Sequence, residues 1–295
     1  MRELLYVGAR NTTTEQMAGL LVPDLLNPSF AQITAAIEAA AASVGWSCVV
    51  TTTGDDAALE RAHAQQLFTR QITTMIFVSS VAANTAEHLP HYQALIDSGA
   101  DLLFINGSPA RLDVMAASDD EMAAGRIAAE YLVELGHRHI GYITGTATSS
   151  LRSPLRVQGM TAVLRDVEDA SLHTMHGDWG VHGGAVTAEA LLHKYPETTA
   201  LICASDLTAI GAMNFCRRNG ISIPDDISVL GSDGIDACEW VRPTLSTIAQ
   251  PVQAIAEFTA NWLVTSGDRP PQPHASEMLF RPMLEIREST AALAR

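Results

Sequence analysis

Asp233 stands in the run Gly231-Ser232-Asp233-Gly234, at the end of the β-branched apolar segment that starts at Ile227. A carboxylate just past a buried strand can accept hydrogen bonds from two hydroxyls of a small polar molecule. The same residue can instead serve its turn as an Asx residue. Asp206 follows Ser205 and precedes an apolar helical repeat, which gives it either a helix-capping role or an indirect part in a site. Other polar residues also sit just after strand-like runs: Asn27 to Phe30, Ser79, Asn106 and Asp120. Trp179 follows the strand-like Leu172–Met175, where an aromatic commonly packs at a core or a rim. Ligands of open α/β sheets bind outside the carboxyl ends of the strands, so these positions form the candidate binding set.

Catalytic patterns do not accompany them. The chain has no GxSxG, HExxH, GxxxxGK[ST] or strand-linked GxGxxG. No enzyme activity and no cofactor are expected. His137 and His139 flank Arg138, and His88 and His91 are three apart. They read as surface or capping histidines, and no third ligand completes a metal site. Cys48, Cys203, Cys216 and Cys238 form no CxxC pair and read as small core residues of a reducing compartment.

The elements that would position the candidates alternate. Ala18–Pro23, Ser47–Thr53, Thr74–Ser80, Asp101–Asn106 and Val114–Ser118 are strand-like. Between and after them, helical periodicity runs over Phe30–Val44, Asp55–Gln71 and Glu121–Leu135, with Gly45 and Gly136 as stops. The series restarts with strands at His139–Gly145, Leu172–Met175, Thr199–Ala204 and Ile227–Gly231, and helices at Leu155–Val167, Gly184–His193 and Asp206–Asn219. A last helix, Val252–Ser266, leads through Pro270, Pro271 and Pro273 to a strand-like tail, Met278–Ile286. Continuous apolar strands between amphipathic helices imply parallel sheets covered on both faces. The expected fold is α/β, with two doubly wound lobes that divide near Gly136.

The 295 residues suit about two domains. With 47% apolar residues a large core is expected and disorder is not. A formal charge of −15 repels phosphate backbones and anionic lipids, which argues against nonspecific nucleic-acid binding. No apolar run approaches the ~20 residues needed to span a bilayer. The start, MRELLYVGARNTTTEQ, lacks the apolar core of a secretory signal, so a cytoplasmic location is expected.

Taken in order, several segments resemble the effector-binding core of the lactose-repressor (LacI/GalR) family of transcription regulators. They are GLLVPDLLNPSFAQITAAIEAAA, ELGHRHIGYITG, RVQGM, CASDLTAIGAM, IPDDISVLGSDG, PTLSTIAQP and the terminal REST. The resemblance runs from about Met17 to Thr290. It implies the periplasmic-binding-protein-like fold, with two Rossmann-like lobes, three crossovers and a ligand cleft. Residues 17–132 and 250–277 would form the N-terminal lobe, and 133–249 and 278–290 the C-terminal lobe. Residues 1–16 would be a linker remnant and 291–295 a tail.

The resemblance also implies residue roles. Asp233 matches a ligand-gripping carboxylate, Arg156 an arginine donating to ligand oxygens, and Trp179 an aromatic stacking on the ligand. Asp120 matches an acidic or amide position facing the crossovers. Ser29 and Phe30 match first-loop contacts, and Gln250 lies at the third crossover. Ser205 replaces an asparagine that many sugar-binding members carry before the aspartate. The family's helix-turn-helix has no counterpart in Met1–Gln16, so operator DNA would be reached only through an upstream domain.

The function implied is the sensing and dimerising core of a regulator, with a small polar, sugar-like or nucleoside-like effector. The alternative is a solute-binding receptor for a sugar transporter. Phe30–Val44 and Val252–Ser266 are the candidate homodimer helices, since each has apolar residues enough for more than one face.

Overall fold

A computed structural model describes residues 16–293 apart from 55, 80–88, 108, 110–111, 146–152 and 267–275. His88, the proline-rich link and all of the expected 1–16 linker except Gln16 lie outside the described residues. The first part of the chain runs β1 (Gln16–Val22), α1 (Pro28–Ser43), β2 (Trp46–Thr52), α2 (Ala57–Thr69), β3 (Thr74–Val78), α3 (Leu89–Asp97), β4 (Asp101–Ile105) and β5 (Met115–Asp119). Then follow α4 (Glu121–Glu134), β6 (His139–Thr144), α5 (Ser153–Leu164), β7 (Ser171–His176), α6 (Val181–Lys194), β8 (Ala200–Cys203), α7 (Asp206–Arg218), β9 (Ser228–Asp233), α8 (Ala237–Trp240) and β10 (Ser246–Ala249). The chain ends with α9 (Val252–Val264), β11 (Ser276–Phe280) and β12 (Met283–Glu285).

The strands form two six-stranded sheets, in the orders β11-β5-β4-β3-β1-β2 and β12-β10-β9-β8-β6-β7. The described pairings are parallel except β10 with β12. In each sheet the first strand has the second on one side and the third on the other, so the crossover direction reverses beside β1 and beside β6. Such a reversal opens a crevice at the strand ends.

Strand alternation explains the unbroken apolar runs. Leu20 and Val22 face one core of the first sheet while Leu21 faces the other. Ile76 and Val78 oppose Met75 and Phe77 in the same way. The second sheet has its own pair of cores. Helix starts are set by local caps: Asn27 before Pro28 in α1, Asp56 in α2, Asp120 in α4, and Ser205 with Thr208 as a capping box in α7.

The expected elements differ from the structure in several places, and the reading of strands and helices has no counterpart for α8 and β10. Helix α4, assigned from sequence to the first lobe, packs on α5 and the second sheet through Ala124, Ala128, Ala129 and Leu132. The chain therefore passes between lobes ahead of Glu121 rather than near Gly136, because the apolar face of α4 matches the second core. The tail expected as one strand is two: β11 joins the first sheet and β12 the second. Helix α3 carries only Tyr92 and Leu95 as buried residues over nine, too short a pattern to stand out. Finally, α1 and α9 pack against each other within the chain, which uses apolar faces that the sequence reading offered to a dimer.

Close helix contacts depend on glycine. A Cβ on Gly125 would overlap the Arg156 carbonyl oxygen, and one on Gly159 the Met122 carbonyl oxygen. Helices α4 and α5 therefore touch backbone to backbone, which brings Glu121 and Arg156 together. Gly184 and Gly211 do the same for α6 and α7.

His137, expected at the surface, is 2% exposed. Its Nδ1 lies 2.9 Å from Thr199 Oγ1, and its Nε2 lies 3.1 Å from both Ser228 Oγ and the Ala291 carbonyl oxygen. It ties the chain end to the second sheet. Burial lowers its pKa below the usual histidine value, against a raising contribution from the Ala291 carbonyl and with a further lowering one from Arg138. The neutral ring thus stabilises the fold above the unfolded value of about 6.5, and this contribution is lost as pH falls through the depressed folded value. Between about pH 7.5 and about pH 5, the parent should lose melting temperature more steeply than His137→Gln. Parallel pH profiles would refute this role.

Candidate ligand-binding cleft

A cavity of about 910 Å³ lies where the strand ends of the two sheets meet. The first lobe lines it with the loop after β1 (Pro23 to Asn27, Ser29, Phe30), the end of β2 with Asp56 and Leu59, and Ser79, Asn106 and Asp119. The second lobe contributes Glu121, Ser153, Arg156, Trp179, Ala204, Ser205 and Asp233, and Gln250 sits at the return crossing. Ser79, Asn106 and Asp233 have positive φ values of 48°, 54° and 127°. Non-glycine residues adopt such conformations at a cost, and these three cluster at one cavity. Asn106 also fixes the crossing strand, since its Oδ1 accepts from the Asp119 N–H at 3.1 Å.

Asp233 is held by two neighbours. Gln250 Nε2 donates to Asp233 Oδ1 at 2.8 Å and also lies 3.5 Å from Ser29 Oγ on the other lobe. Behind it, Asp206 is fully buried. Asp206 Oδ2 accepts from the N–H groups of Gly234 (2.7 Å) and Ile235 (2.9 Å), and its Oδ1 from the Thr247 hydroxyl at 2.6 Å. A Cβ on Gly231 would overlap Asp206 Oδ1, so glycine there makes room for the buried carboxylate. Of the two roles left open for Asp206, capping belongs instead to Ser205, and Asp206 pins the turn that carries Asp233.

Burial raises the Asp206 pKa, while hydrogen bonds from Thr247 and the turn amides pull it back. Burial also raises Asp233, and the charge of Asp206 pushes it well above the usual carboxylate range despite Arg156 and Gln250. A carboxyl raised in this way favours the fold below its unfolded value, and that contribution is lost as pH rises through the folded value.

Arg156 is buried, and its donors are largely engaged. Its Nε donates to Glu121 Oε2 at 2.5 Å and its Nη1 to the Ala204 carbonyl oxygen at 3.0 Å. Burial opposes the charge, but Glu121 and Tyr142 more than offset that and raise the pKa. The Trp179 indole lies over Gly145, where a Cβ would overlap the ring. It is 43% exposed and forms an apolar wall of the cavity.

Seven of the eight sequence-derived site residues therefore line one cavity: Asp233, Arg156, Trp179, Phe30, Ser29, Ser205 and Gln250. Asp120 does not. Its side chain turns to the Ala123 N–H (2.9 Å) as the α4 cap, and its neighbours Asp119 and Glu121 face the cavity instead. Ser205 lines the cavity while its Oγ serves the α7 capping box. Sequence reasoning missed Glu121, Asp119 and the wall made by Thr52, Thr53, Gly54, Asp56 and Leu59. Position after β2 was the available signal for that wall.

A family model described as periplasmic binding proteins and the sugar-binding domain of the LacI family matches residues 15–263. Among curated relatives, the transcriptional regulator MalR of Streptomyces coelicolor is 30% identical over 285 residues, 95% of this chain and 82% of the relative. The repressor CytR of Escherichia coli is 30% identical over 79% of this chain and 67% of its own length. A LacI family regulator from Enterococcus faecium with bound ribose has a TM-score of 0.81 at 24% identity, covering 95% of this chain and all of that one. One from Arthrobacter sp. FB24 in complex with lactose has a TM-score of 0.80 at 24% identity, covering 93% of this chain and 99% of that one. At these identities the two structures bear on the fold alone.

Proposed function

The chain belongs to the LacI family, and on that footing we propose that it is the sensing core of a transcription regulator. In this reading a small polar, sugar-like effector occupies the cleft and biases the relative orientation of the lobes. The observation that carries it is the convergence of both lobes on one cavity, with a carboxylate at the end of β9, an arginine from the first turn of α5 and an indole in the loop after β7. Asp233 accepts from ligand hydroxyls, Arg156 completes the polar wall beside Glu121, and Trp179 with Phe30 packs on apolar ring faces. The protein is read as a binding protein, not an enzyme, located in the cytoplasm. Its relatives favour the regulator over the transport receptor. Among the described residues no helix is long and apolar enough to cross a membrane, and no cluster of metal-ligating side chains is found.

Ligand moves the lobes only if it binds their two orientations unequally. Among the described residues the cross-lobe hydrogen bonds include two long ones, Gln250 Nε2 to Ser29 Oγ at 3.5 Å and Gln32 Nε2 to Asp236 Oδ1 at 3.4 Å, which a change of lobe orientation would break. A homodimer would turn that motion into a change of spacing between helix-turn-helix heads on operator DNA. The formal charge of −15 suits a sensing role better than a DNA-contacting one for these residues.

Thermal-shift screening of saccharides, followed by calorimetry, tests this reading. Ligand at 100 times its dissociation constant adds about 2.7 kcal/mol. Asp233→Asn keeps the side-chain volume and tolerates positive φ, and it removes a charged acceptor worth about 1.5–3 kcal/mol. Binding should weaken about 10- to 150-fold while stability near neutral pH holds or rises. Unaltered affinity for a ligand found in the screen would disprove the site.

A further inference from the structure

Building on the effector-binding reading above, we propose that the mouth of the cleft is an outer subsite for a second ring with an apolar face, attached to the sugar held at Asp233. That ring is a further sugar unit or an aromatic aglycone, and a single sugar leaves the subsite unfilled.

The depth and the mouth of the cavity differ in kind. Ser29, Asp119, Arg156 and Ser205 line it and are buried, so polar groups mark its depth. Leu25, Leu26 and Leu59 also line it and are exposed, Leu26 by 92%. Single exposed leucines are ordinary on a protein surface. Three that converge from two loops on one cavity make a patch of the kind that receives a ligand.

Local bonds hold these leucines on display. Asp24 Oδ1 accepts from the Leu26 N–H at 2.6 Å, and Asn27 caps α1 by accepting from the Ser29 N–H at 3.1 Å, so the loop is fixed on both sides of Leu26. Asp56 Oδ1 accepts from the Ala58 and Leu59 N–H groups at 2.8 and 3.1 Å, which fixes Leu59 in the first turn of α2. Trp179, half-exposed, lines the same cavity from the second lobe. Leucine methyls from one lobe and an indole from the other suit the apolar face of a ring. The size of the cavity agrees. A single hexose fills about 180 Å³, as six waters do at ~30 Å³ each in the liquid. The cavity of about 910 Å³ has room for a second ring beside it.

Matched glycosides on the unaltered protein provide the test. Calorimetry would compare the methyl, phenyl and glucosyl glycosides of glucose and of galactose, in both anomers. For the sugar that binds, the phenyl or the glucosyl glycoside should bind about tenfold or more tighter than the methyl one. A phenyl advantage alone assigns the subsite to an aglycone, and a glucosyl advantage alone assigns it to a second sugar. Leu26→Ser combined with Leu59→Ser should remove most of the advantage, read as the ratio of two affinities in one protein. An unchanged ratio, with both affinities lowered alike, would overturn the subsite and give the leucines to contact between closing lobes. Equal binding of all three glycosides, weakened together by Asp233→Asn, would overturn it and leave the effector site standing. Binding of no saccharide would remove the effector reading, and this inference with it.

Discussion

Asp206→Ala is expected to destabilise the protein by about 3 kcal/mol and to weaken effector binding beyond the loss seen with Asp233→Asn. Three N–H and O–H donors converge on the Asp206 carboxylate, the N–H groups of Gly234 and Ile235 and the Thr247 hydroxyl, and the Cys238 thiol adds a weaker bond. Leaving a buried donor without its acceptor costs about 1–3 kcal/mol, and alanine would strand all three. Part of that loss is offset, because burial already works against the Asp206 charge. The turn that these bonds hold carries Asp233, at φ 127°, and releasing it lets that residue leave its strained conformation. Asp206→Asn is the control. It keeps an acceptor for the two amides and should lose about 1 kcal/mol or less. Denaturant midpoints and ligand affinities of the two variants check this. An alanine variant as stable as the asparagine one would mean that the carboxylate does not hold the turn.

That pair also marks how far the sequence could be read. The run Gly231-Ser232-Asp233-Gly234 announced a tight turn after a strand, and Asp233 lines the cavity. The reason for Gly231 was not legible, because it depends on Asp206, 25 positions earlier, folding against it. Asp120 shows the opposite limit. Three consecutive acidic residues, Asp119, Asp120 and Glu121, end a strand and begin a helix. Type and position alone favoured the middle one for the site. The cap geometry turns Asp120 to its own helix and leaves its neighbours for the cavity.

Periodicity exposed the inner strands β1, β3, β4, β6 and β8, because each is apolar on both faces and buried between two layers, while the edge strands β2 and β7 are only partly buried. It could not place α4. An amphipathic helix beside a crossover carries no mark of which sheet it will cover, and here the glycine contact with α5 decides. Nor could it reveal that Phe30–Val44 and Val252–Ser266 cover each other, since an apolar stripe reads alike whether its partner is the same chain or a second one.

Arg156→Ala should behave differently from Asp233→Asn, although both residues line the cleft. The resemblance casts Arg156 as a ligand donor, but the structure commits its Nε to Glu121 and its Nη1 to the Ala204 carbonyl. The two ionic side chains are 10% and 11% exposed. Removing one partner of a buried pair costs about 3–5 kcal/mol, and the adjoining cavity lets water reach Glu121, so about 2–3 kcal/mol is expected here. Glu121→Ala should then cost less in the Arg156→Ala background than in the parent, with a coupling of about 1 kcal/mol or more. Arg156→Lys should rescue only part, because an ammonium cannot span a carboxylate and a carbonyl as a guanidinium fork does. Urea midpoints for the four corners of this cycle supply the measurement. If Arg156→Ala instead leaves the midpoint unchanged and loses only ligand affinity, the arginine is a dedicated ligand donor, and its bond to Glu121 carries no weight in the fold.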